Sequence, residues 1–383
     1  MTGPAGPGGD PEQWRAIRRD VSRGRRQLAA AASALYPGVP AVEGTPLLCR
    51  PQWIPPRPVP LGRVTLGWTS PPPAPAVTGA GPASAHLRPP SGDGGRYATY
   101  ADAIAALDPP ALFENRPAYR ILGASAGPGG PRLELAPGRY FDTVSIGEAL
   151  AHELAAARAA GGPVTMDRLP FRAAAGDPCD LARRPAGVAV STLTLRRSGP
   201  GEARFLLHWR DPAKVTHAGG LYQVLPVGIF QPADDNPDSV RHDLDLWHGM
   251  VREYSEELLG NPEDYAALGS PVRYGQWDLY RRLTSARDHG GLAVWFLGLG
   301  VDPLTLVTDI LTAAVFDAGL FDREFGRLPE ANAEGRIIGQ DGTAGFAFTA
   351  GAVERFAGGA EPMQAAGAAV LRLAWKHREA LAG

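Results

Sequence analysis

Apolar and polar side chains alternate most regularly in the middle of the chain. Residues 187–196 alternate with a period of two, which predicts a β-strand. A turn at residues 198–201 and a second apolar run at residues 203–210 return the chain, so the two runs predict a hairpin. Residues 221–230 are predicted to form the next strand.

A helical period follows these strands. Residues 243–259 repeat apolar side chains every three or four positions, which predicts a helix that packs one face on a sheet and ends at Gly260. The side chains predicted to face inward are Trp247, Met250, Val251, Tyr254 and Leu258. Later elements are predicted as strands at 292–300 and 304–311 and a helix at 363–381, with Ala369, Leu373 and Trp375 facing inward.

The first half of the chain predicts shorter elements. Residues 11–35 have helical spacing until Pro37, and the proline-rich residues 45–68 indicate extended or irregular structure. Residues 69–95 are dominated by Pro, Ala, Gly and Ser, and they are predicted to form a mobile loop because they offer almost no large apolar side chain to bury. Further elements are predicted as a helix at 100–107, strands at 119–123 and 132–135, and a helix at 145–160.

The order of elements predicts an α+β protein in three parts. Residues 1–36 form an N-terminal helix, residues 37–185 a smaller α+β region, and residues 186–383 a domain with a mixed sheet flanked by helices. Glycine and proline interrupt regular structure across residues 173–185, which places the second boundary there.

Composition and charge narrow the classes of function. The 383 residues are 44% hydrophobic and carry a net charge of −2, which suits a globular protein and gives no overall field for nucleic acid or a membrane surface. The two cysteines lie far apart, so no disulfide framework or C-x-x-C zinc pair is expected. The first ten residues lack the basic start and apolar core of a signal peptide, and we expect a cytoplasmic protein.

Three glutamates lie within one turn of the predicted helix at 243–259. Glu253, Glu256 and Glu257 are three or four positions apart or adjacent, so they share a helix face, where like charges repel. A hard divalent cation such as Mg²⁺ or Mn²⁺ would relieve that repulsion, because such ions prefer carboxylate oxygens together with substrate phosphate. The alternative is a solvated acidic face without a ligand.

The segment Arg252-Glu253-Tyr254-Ser255-Glu256-Glu257, preceded by the hairpin and by Gly228, resembles the signature of the Nudix hydrolase family, G-x5-E-x7-R-E-U-x-E-E-x-G-U, where U is a bulky apolar residue. The resemblance covers residues 186–383 and implies a Nudix-like α/β/α sandwich. It also implies that Glu253, Glu256 and Glu257 bind the metal ion, that Glu256 and Glu257 take part in catalysis, and that Arg252 holds a catalytic carboxylate in a bidentate pair.

The chain departs from that signature at three points. The loop between Gly228 and Arg252 is about ten residues longer than the signature allows. Counted back from Arg252, the upstream glutamate position falls on Leu244, whereas Asp234 follows Gly228 after five intervening residues. The last glycine comes one residue late, at Gly260.

Other residues are candidates for supporting roles. Glu334 lies where Nudix-like proteins often carry an extra carboxylate, and it is a candidate general base or metal ligand, with an exposed loop acid as the alternative. Candidates for substrate binding are Gly228, Asp234, Tyr222 and Arg210, although core packing is the commoner fate of aromatic residues such as Tyr222. Histidines are expected to be structural, without a zinc site, at positions 208, 217, 242 and 248.

A second, weaker resemblance is to the portion of certain actinobacterial regulator-like proteins that does not bind DNA. It lies in residues 44–48 with Trp53, in residues 137–141 and in residues 217–220. Two functions are therefore expected. One is a metal-dependent hydrolase of a nucleoside diphosphate linked to another moiety, and the other is a non-catalytic, nucleotide-sensing or regulatory module.

Overall fold

The computed structural model describes residues 8–92, 94–110, 112–127, 129–210, 220–326, 335–340 and 343–383. Its helices are α1 (Pro11–Ala34), α2 (Tyr100–Leu107), α3 (Tyr140–Ala159), α4 (Pro170–Ala175), α5 (Pro237–His242), α6 (Leu246–Glu253), α7 (Asp278–Asp288), α8 (Ala318–Phe325), α9 (Ala350–Ala357), α10 (Ala365–Lys376) and α11 (Arg378–Ala382). Its strands are β1 (Val59–Pro60), β2 (Thr65–Trp68), β3 (Pro117–Gly127), β4 (Gly130–Arg139), β5 (Val188–Gly199), β6 (Glu202–Phe205), β7 (Leu207–Arg210), β8 (Tyr222–Val224), β9 (Val227–Ile229), β10 (Leu292–Val301), β11 (Thr308–Asp317), β12 (Gly335–Gln340), β13 (Thr343–Ala344) and β14 (Phe346–Ala347). The α+β class predicted from the sequence is confirmed.

A mixed sheet forms the centre of the protein. Its strand order is β1-β10-β11-β5-β6-β14, and β9 also pairs with β5. Strands β11 and β5 run parallel, with Ile310 opposite Val190, whereas β9 runs antiparallel to β5, with Gly228 opposite Val190. The near-continuous burial of β5 and β11 fits strands covered on both faces.

The predicted hairpin of residues 187–210 forms through β5 and β6, but its second half leaves the central sheet. After Leu206, strand β7 joins a separate sheet of order β13-β12-β7-β8. A third sheet contains β2, β4 and β3. The strand predicted at residues 304–311 is found at Thr308–Asp317 instead. Its start is later because Asp302 accepts hydrogen bonds from the backbone N–H groups of Leu304 and Thr305 and forms a tight turn.

Helix α6 begins later than residue 243, because Asp245 accepts hydrogen bonds from the N–H groups of Trp247 and His248 and caps the helix. One π-helical turn, Tyr254–Leu258, continues it to Gly260, whose φ of 70° suits glycine. The five side chains predicted to face inward are all buried. Tyr254 fixes the helix on the sheet, since its hydroxyl hydrogen-bonds Thr194 Oγ1 at 2.9 Å.

The first half of the chain packs directly on the second. Strand β1 pairs with β10, and one buried cluster includes side chains from both sides of residue 186. The buried Arg172 donates hydrogen bonds of 2.7 and 2.6 Å to the carbonyl oxygens of Pro303 and Leu304. The division into three parts stays a prediction, but the halves share a core.

Residues 69–95 are corrected in one respect. Val77, Ser84 and Leu87 are buried, and a short 3₁₀ helix spans Pro82–Leu87. A few anchoring side chains are enough to bury this part of the segment, whereas residues 69–74 are exposed throughout. The predicted mobility therefore remains a prediction for those first residues.

Within the described residues, no helix combines the length and apolar character needed to cross a membrane.

The two cysteines, Cys49 and Cys179, are free and buried, and burial raises the pKa of the Cys49 thiol to about 11. Both thiols are therefore protonated at neutral pH.

Candidate functional site

The centre of the candidate site is the contact between Gly228 on β9 and Glu253 at the end of α6. A Cβ atom at position 228 would lie only 1.9 Å from Oε1 of Glu253. Glycine is therefore needed at this position for the carboxylate to lie on the strand. Gly228 was predicted as a substrate-binding residue, and the structure places it directly beneath a predicted metal ligand.

The other two glutamates accept hydrogen bonds from neighbouring groups. The backbone N–H of Val227 donates to Oε1 of Glu257 at 2.9 Å, which ties Glu257 to β9. The hydroxyl of Tyr265 donates to Oε1 of Glu256 at 2.5 Å. For Glu253, the described part of the chain supplies no hydrogen-bond donor to the carboxylate.

Glu253, Glu256 and Glu257 form a carboxylate cluster, and burial raises the pKa of two of its members, Glu253 and Glu256. Burial, followed by the charges of Glu256 and Glu257, raises the pKa of Glu253 well above its ordinary value. Burial raises the pKa of Glu256 to about 7, with Glu263 adding repulsion and the Tyr265 hydrogen bond opposing the rise. Burial therefore favours the neutral forms of Glu253 and Glu256, and a bound cation would favour their charged forms.

Arg252 does not hold a glutamate of the helix, which corrects the role implied by the resemblance. Its Nη1 lies 3.1 Å from Oδ2 of Asp243, an acid with no exposed surface. The guanidinium also donates to the hydroxyl of Tyr274 and to the carbonyl oxygen of Gln231. This pair therefore anchors the loop that precedes α6 to the helix that carries the carboxylates.

Asp243 was missed by sequence reasoning. The upstream acid was sought at Leu244, the position counted back from Arg252, and Asp243 precedes it by one residue. Asp243 also accepts a 2.7 Å hydrogen bond from the N–H of Ala233 and a 2.8 Å bond from the Tyr274 hydroxyl. A search that allowed one residue of slippage would have found it.

The described residues contain one group of three possible metal ligands whose donor atoms all lie within 4.8 Å of one another, and it is His242, Asp243 and His248. Its members already have other partners: Asp243 pairs with Arg252, and Nε2 of His242 lies 3.1 Å from the carbonyl oxygen of Val272. His248 stacks on Tyr274 with ring centroids 3.7 Å apart. The structural or surface role expected of His242 and His248 stays a prediction.

The three glutamates do not meet that distance as a set in the described structure. Each carboxylate ends a flexible side chain, and Glu253 and Glu257 both lie against β9. Binding a single ion would therefore require rotation of at least one of these side chains. The oxygen donors themselves are of the type that Mg²⁺ and Mn²⁺ prefer.

The remaining predicted site residues lie on other elements. Tyr222 and Arg210 belong to the sheet of β7 and β8, and the Tyr222 ring packs on Phe356 with centroids 5.1 Å apart. Asp234 accepts a hydrogen bond from the N–H of Asn236; burial raises its pKa, but hydrogen bonds with Ser270 and Ser239 outweigh that and lower it. Glu334 and residues 217–219 lie outside the described residues.

An internal cavity lies on the other side of β9. Val227 and Ile229 line it, whereas Gly228 between them contacts Glu253. Side chains alternate across a strand, so the three residues of β9 separate the carboxylate cluster from the cavity.

Comparison with models of protein families and with curated proteins finds no match to this chain. The likeness to Nudix hydrolases therefore depends on the sequence motif alone and stays a prediction.

Proposed function

We propose that the chain is a Mg²⁺- or Mn²⁺-dependent hydrolase of a nucleoside diphosphate linked to another moiety. The observation that carries this proposal is the carboxylate cluster, in which burial and repulsion raise the pKa of both Glu253 and Glu256. Uncompensated carboxylates are costly to bury, and they are retained where a cation offsets the charge.

The donor set fits such an ion. Glu253, Glu256 and Glu257 would hold it, and the ion would supply positive charge to offset charge that develops on the phosphate oxygens. Before a cation binds, burial raises the pKa of Glu256 to about 7, and a bound cation would favour the charged form of this carboxylate. Tyr265 orients that carboxylate through its 2.5 Å hydrogen bond. The Arg252–Asp243 pair keeps the start of α6 in place.

A second candidate function is a ligand-binding or regulatory module without turnover. The observation that favours it is the position of the cavity, which lies across β9 from the glutamates. A substrate in that cavity would not contact the carboxylate cluster directly. In this case the three glutamates would lie on their helix without taking part in catalysis.

Calorimetric titration of Mg²⁺ and Mn²⁺ into the full chain tests the proposal. Glu256→Gln and Glu257→Gln keep the shape and the hydrogen bonds from Tyr265 and Val227 but each remove an anionic ligand. We expect each to weaken cation binding at least about tenfold, the size of one charge-assisted contact. Glu379→Gln, whose side chain is 92% exposed, is the matched control and should bind as the wild type does.

Turnover is measured in parallel on a panel of nucleoside diphosphate derivatives, with and without the cation. Equal cation affinity in all four proteins would refute the metal site. Cation binding without turnover of any substrate would refute the hydrolase and leave the regulatory module.

A further inference from the structure

A cavity of about 230 Å³ lies between helices α1 and α3, strands β8 and β9 and the start of α10. Much of its wall is apolar, formed by side chains such as Val144, Val227, Ile229 and Met363. Small-molecule sites typically combine an apolar wall with a few polar groups that converge on it. The polar groups that line this cavity include the side chain of Arg25, the start of α10 and the carboxyl group of Asp309.

The first is the guanidinium of Arg25. Its Nη2 donates a 2.9 Å hydrogen bond to Oε1 of Glu148, which also pairs with Arg18. Its Nη1 is buried and has no hydrogen-bond partner within the described structure. A buried donor without an acceptor costs about 1–3 kcal/mol, more for a charged group, and an acceptor on a ligand would offset this cost.

The second is the N-terminus of α10. Gln364, Ala365 and Ala366 line the cavity, and Gln364 at the cap position makes no side-chain hydrogen bond to the first turn. Its Oε1 instead accepts a 2.8 Å hydrogen bond from Nε2 of Gln223. The N–H groups at a helix start carry partial positive charge and favour an anion.

The third is the carboxyl group of Asp309, which is 7% exposed. The Ser191 hydroxyl donates to its Oδ1 at 2.9 Å, and its other oxygen has no hydrogen bond within the described residues. Burial raises the pKa of this group to about 7. Asp302, also in the wall, is already used, since its Oδ1 accepts the bonds that form the turn before β11.

We propose that this cavity binds a small carboxylic acid that also carries a hydroxyl or ammonium group beside an apolar body. The carboxylate accepts hydrogen bonds from Nη1 of Arg25 and from the start of α10. The hydroxyl or ammonium group donates to the free oxygen of Asp309. The apolar body packs on Val227 and Ile229. The proposal is independent of the metal site, because none of its groups belongs to the carboxylate cluster.

Four probes that share a phenyl body test this chemistry by calorimetric titration into the full chain. Mandelate and phenylalanine carry the carboxylate and a second polar group, phenylacetate carries the carboxylate alone, and phenethylamine carries the ammonium alone. We expect mandelate or phenylalanine to bind most tightly, phenylacetate about threefold to tenfold more weakly, and phenethylamine not at all.

Three variants and a control locate the site. Arg25→Gln should lower the affinity for all three acids at least about tenfold. Asp309→Asn should lower the affinity for mandelate and phenylalanine and leave the affinity for phenylacetate unchanged. Ala366→Leu adds volume inside the cavity on a helix that accepts leucine and should abolish binding of every probe. Arg23→Gln removes an exposed charge from the same helix as Arg25 and should change nothing.

Three results would overturn the proposal: no acid binds at millimolar concentration, the acids bind Arg25→Gln or Ala366→Leu as tightly as the wild type, or phenethylamine binds best. Circular dichroism of each variant shows that a loss of binding does not come from unfolding.

Discussion

Replacing Glu256 with glutamine should make the protein more stable at alkaline pH and leave it nearly unchanged at acid pH. In the folded chain the pKa of Glu256 is raised from 4.5 to about 7 by burial and by the charge of Glu263. Between those two pH values the folded state binds more protons than the unfolded state. Stability contributed by this group is therefore complete below pH 4.5 and is lost as the pH rises through 7.

The size of the effect follows from the shift. Each pKa unit corresponds to about 1.4 kcal/mol, and partial exposure of Glu256 lowers the full value, so we expect a loss of about 2–3 kcal/mol in the wild type between pH 5 and pH 8. Glu256→Gln cannot ionise, and its amide oxygen still accepts the hydrogen bond from Tyr265. The variant also removes repulsion from Glu253, which adds to its stability at high pH.

Urea denaturation, followed by tryptophan fluorescence at pH 5 and pH 8, measures the difference between variant and wild type. Burial of Asp309 also raises the pKa of that carboxyl to about 7, but its contribution is common to both proteins and cancels in the difference. Glu379→Gln, changed at an exposed position, should show no such difference. If the variant is equally stable or less stable than the wild type at pH 8, the reasoning about the buried carboxylates is refuted.

Three more predictions follow from close contacts. Gly228→Ala should displace the carboxylate of Glu253 and weaken Mg²⁺ binding at least about tenfold in a calorimetric titration, and unchanged affinity would contradict the contact. Asp243→Asn should lower the free energy of unfolding by about 3 kcal/mol in urea denaturation, because it leaves the buried Arg252 without its counter-charge. A loss below about 1 kcal/mol would contradict the burial of this pair. Leu87→Ala should cost about 2–4 kcal/mol in the same assay, and a negligible cost would show that residues around it do not pack.

The helix of the candidate site could be predicted from the sequence because its information is local. The apolar stripe from Trp247 to Leu258 repeats with the helical period, and all of its members are buried. The three glutamates were singled out through their spacing within one turn of this helix, whereas Gly228 was singled out through the resemblance to the Nudix signature. Asp243, the ion-pair partner of Arg252, was not predicted, because it lies in a loop whose length departs from the signature.

The cavity could not be predicted because its walls come from distant parts of the chain. Arg25 precedes Asp309 by 284 residues and Gln364 follows Asp309 by 55, and the packing of α1 and α10 against the sheet brings them to one space. The burial within residues 69–95 was not predicted for a related reason. Composition measures how much apolar surface a segment carries, whereas the burial of Leu87 depends on a site that other segments provide.

The proposed cation site and the proposed acid site lie on opposite sides of the same strand, β9. Binding at each site can be measured separately. Val227 lines the cavity with its side chain and donates its N–H to Glu257, while Gly228 makes room for Glu253 on the opposite side. Cation binding and turnover without acid binding would describe a hydrolase whose cavity is only a packing defect. Acid binding without cation binding would describe a small-molecule sensor. If both ligands bind, thermodynamic linkage requires that any effect of the acid on Mg²⁺ affinity equals the effect of Mg²⁺ on acid affinity, so a titration of each in the presence of the other measures whether β9 couples them.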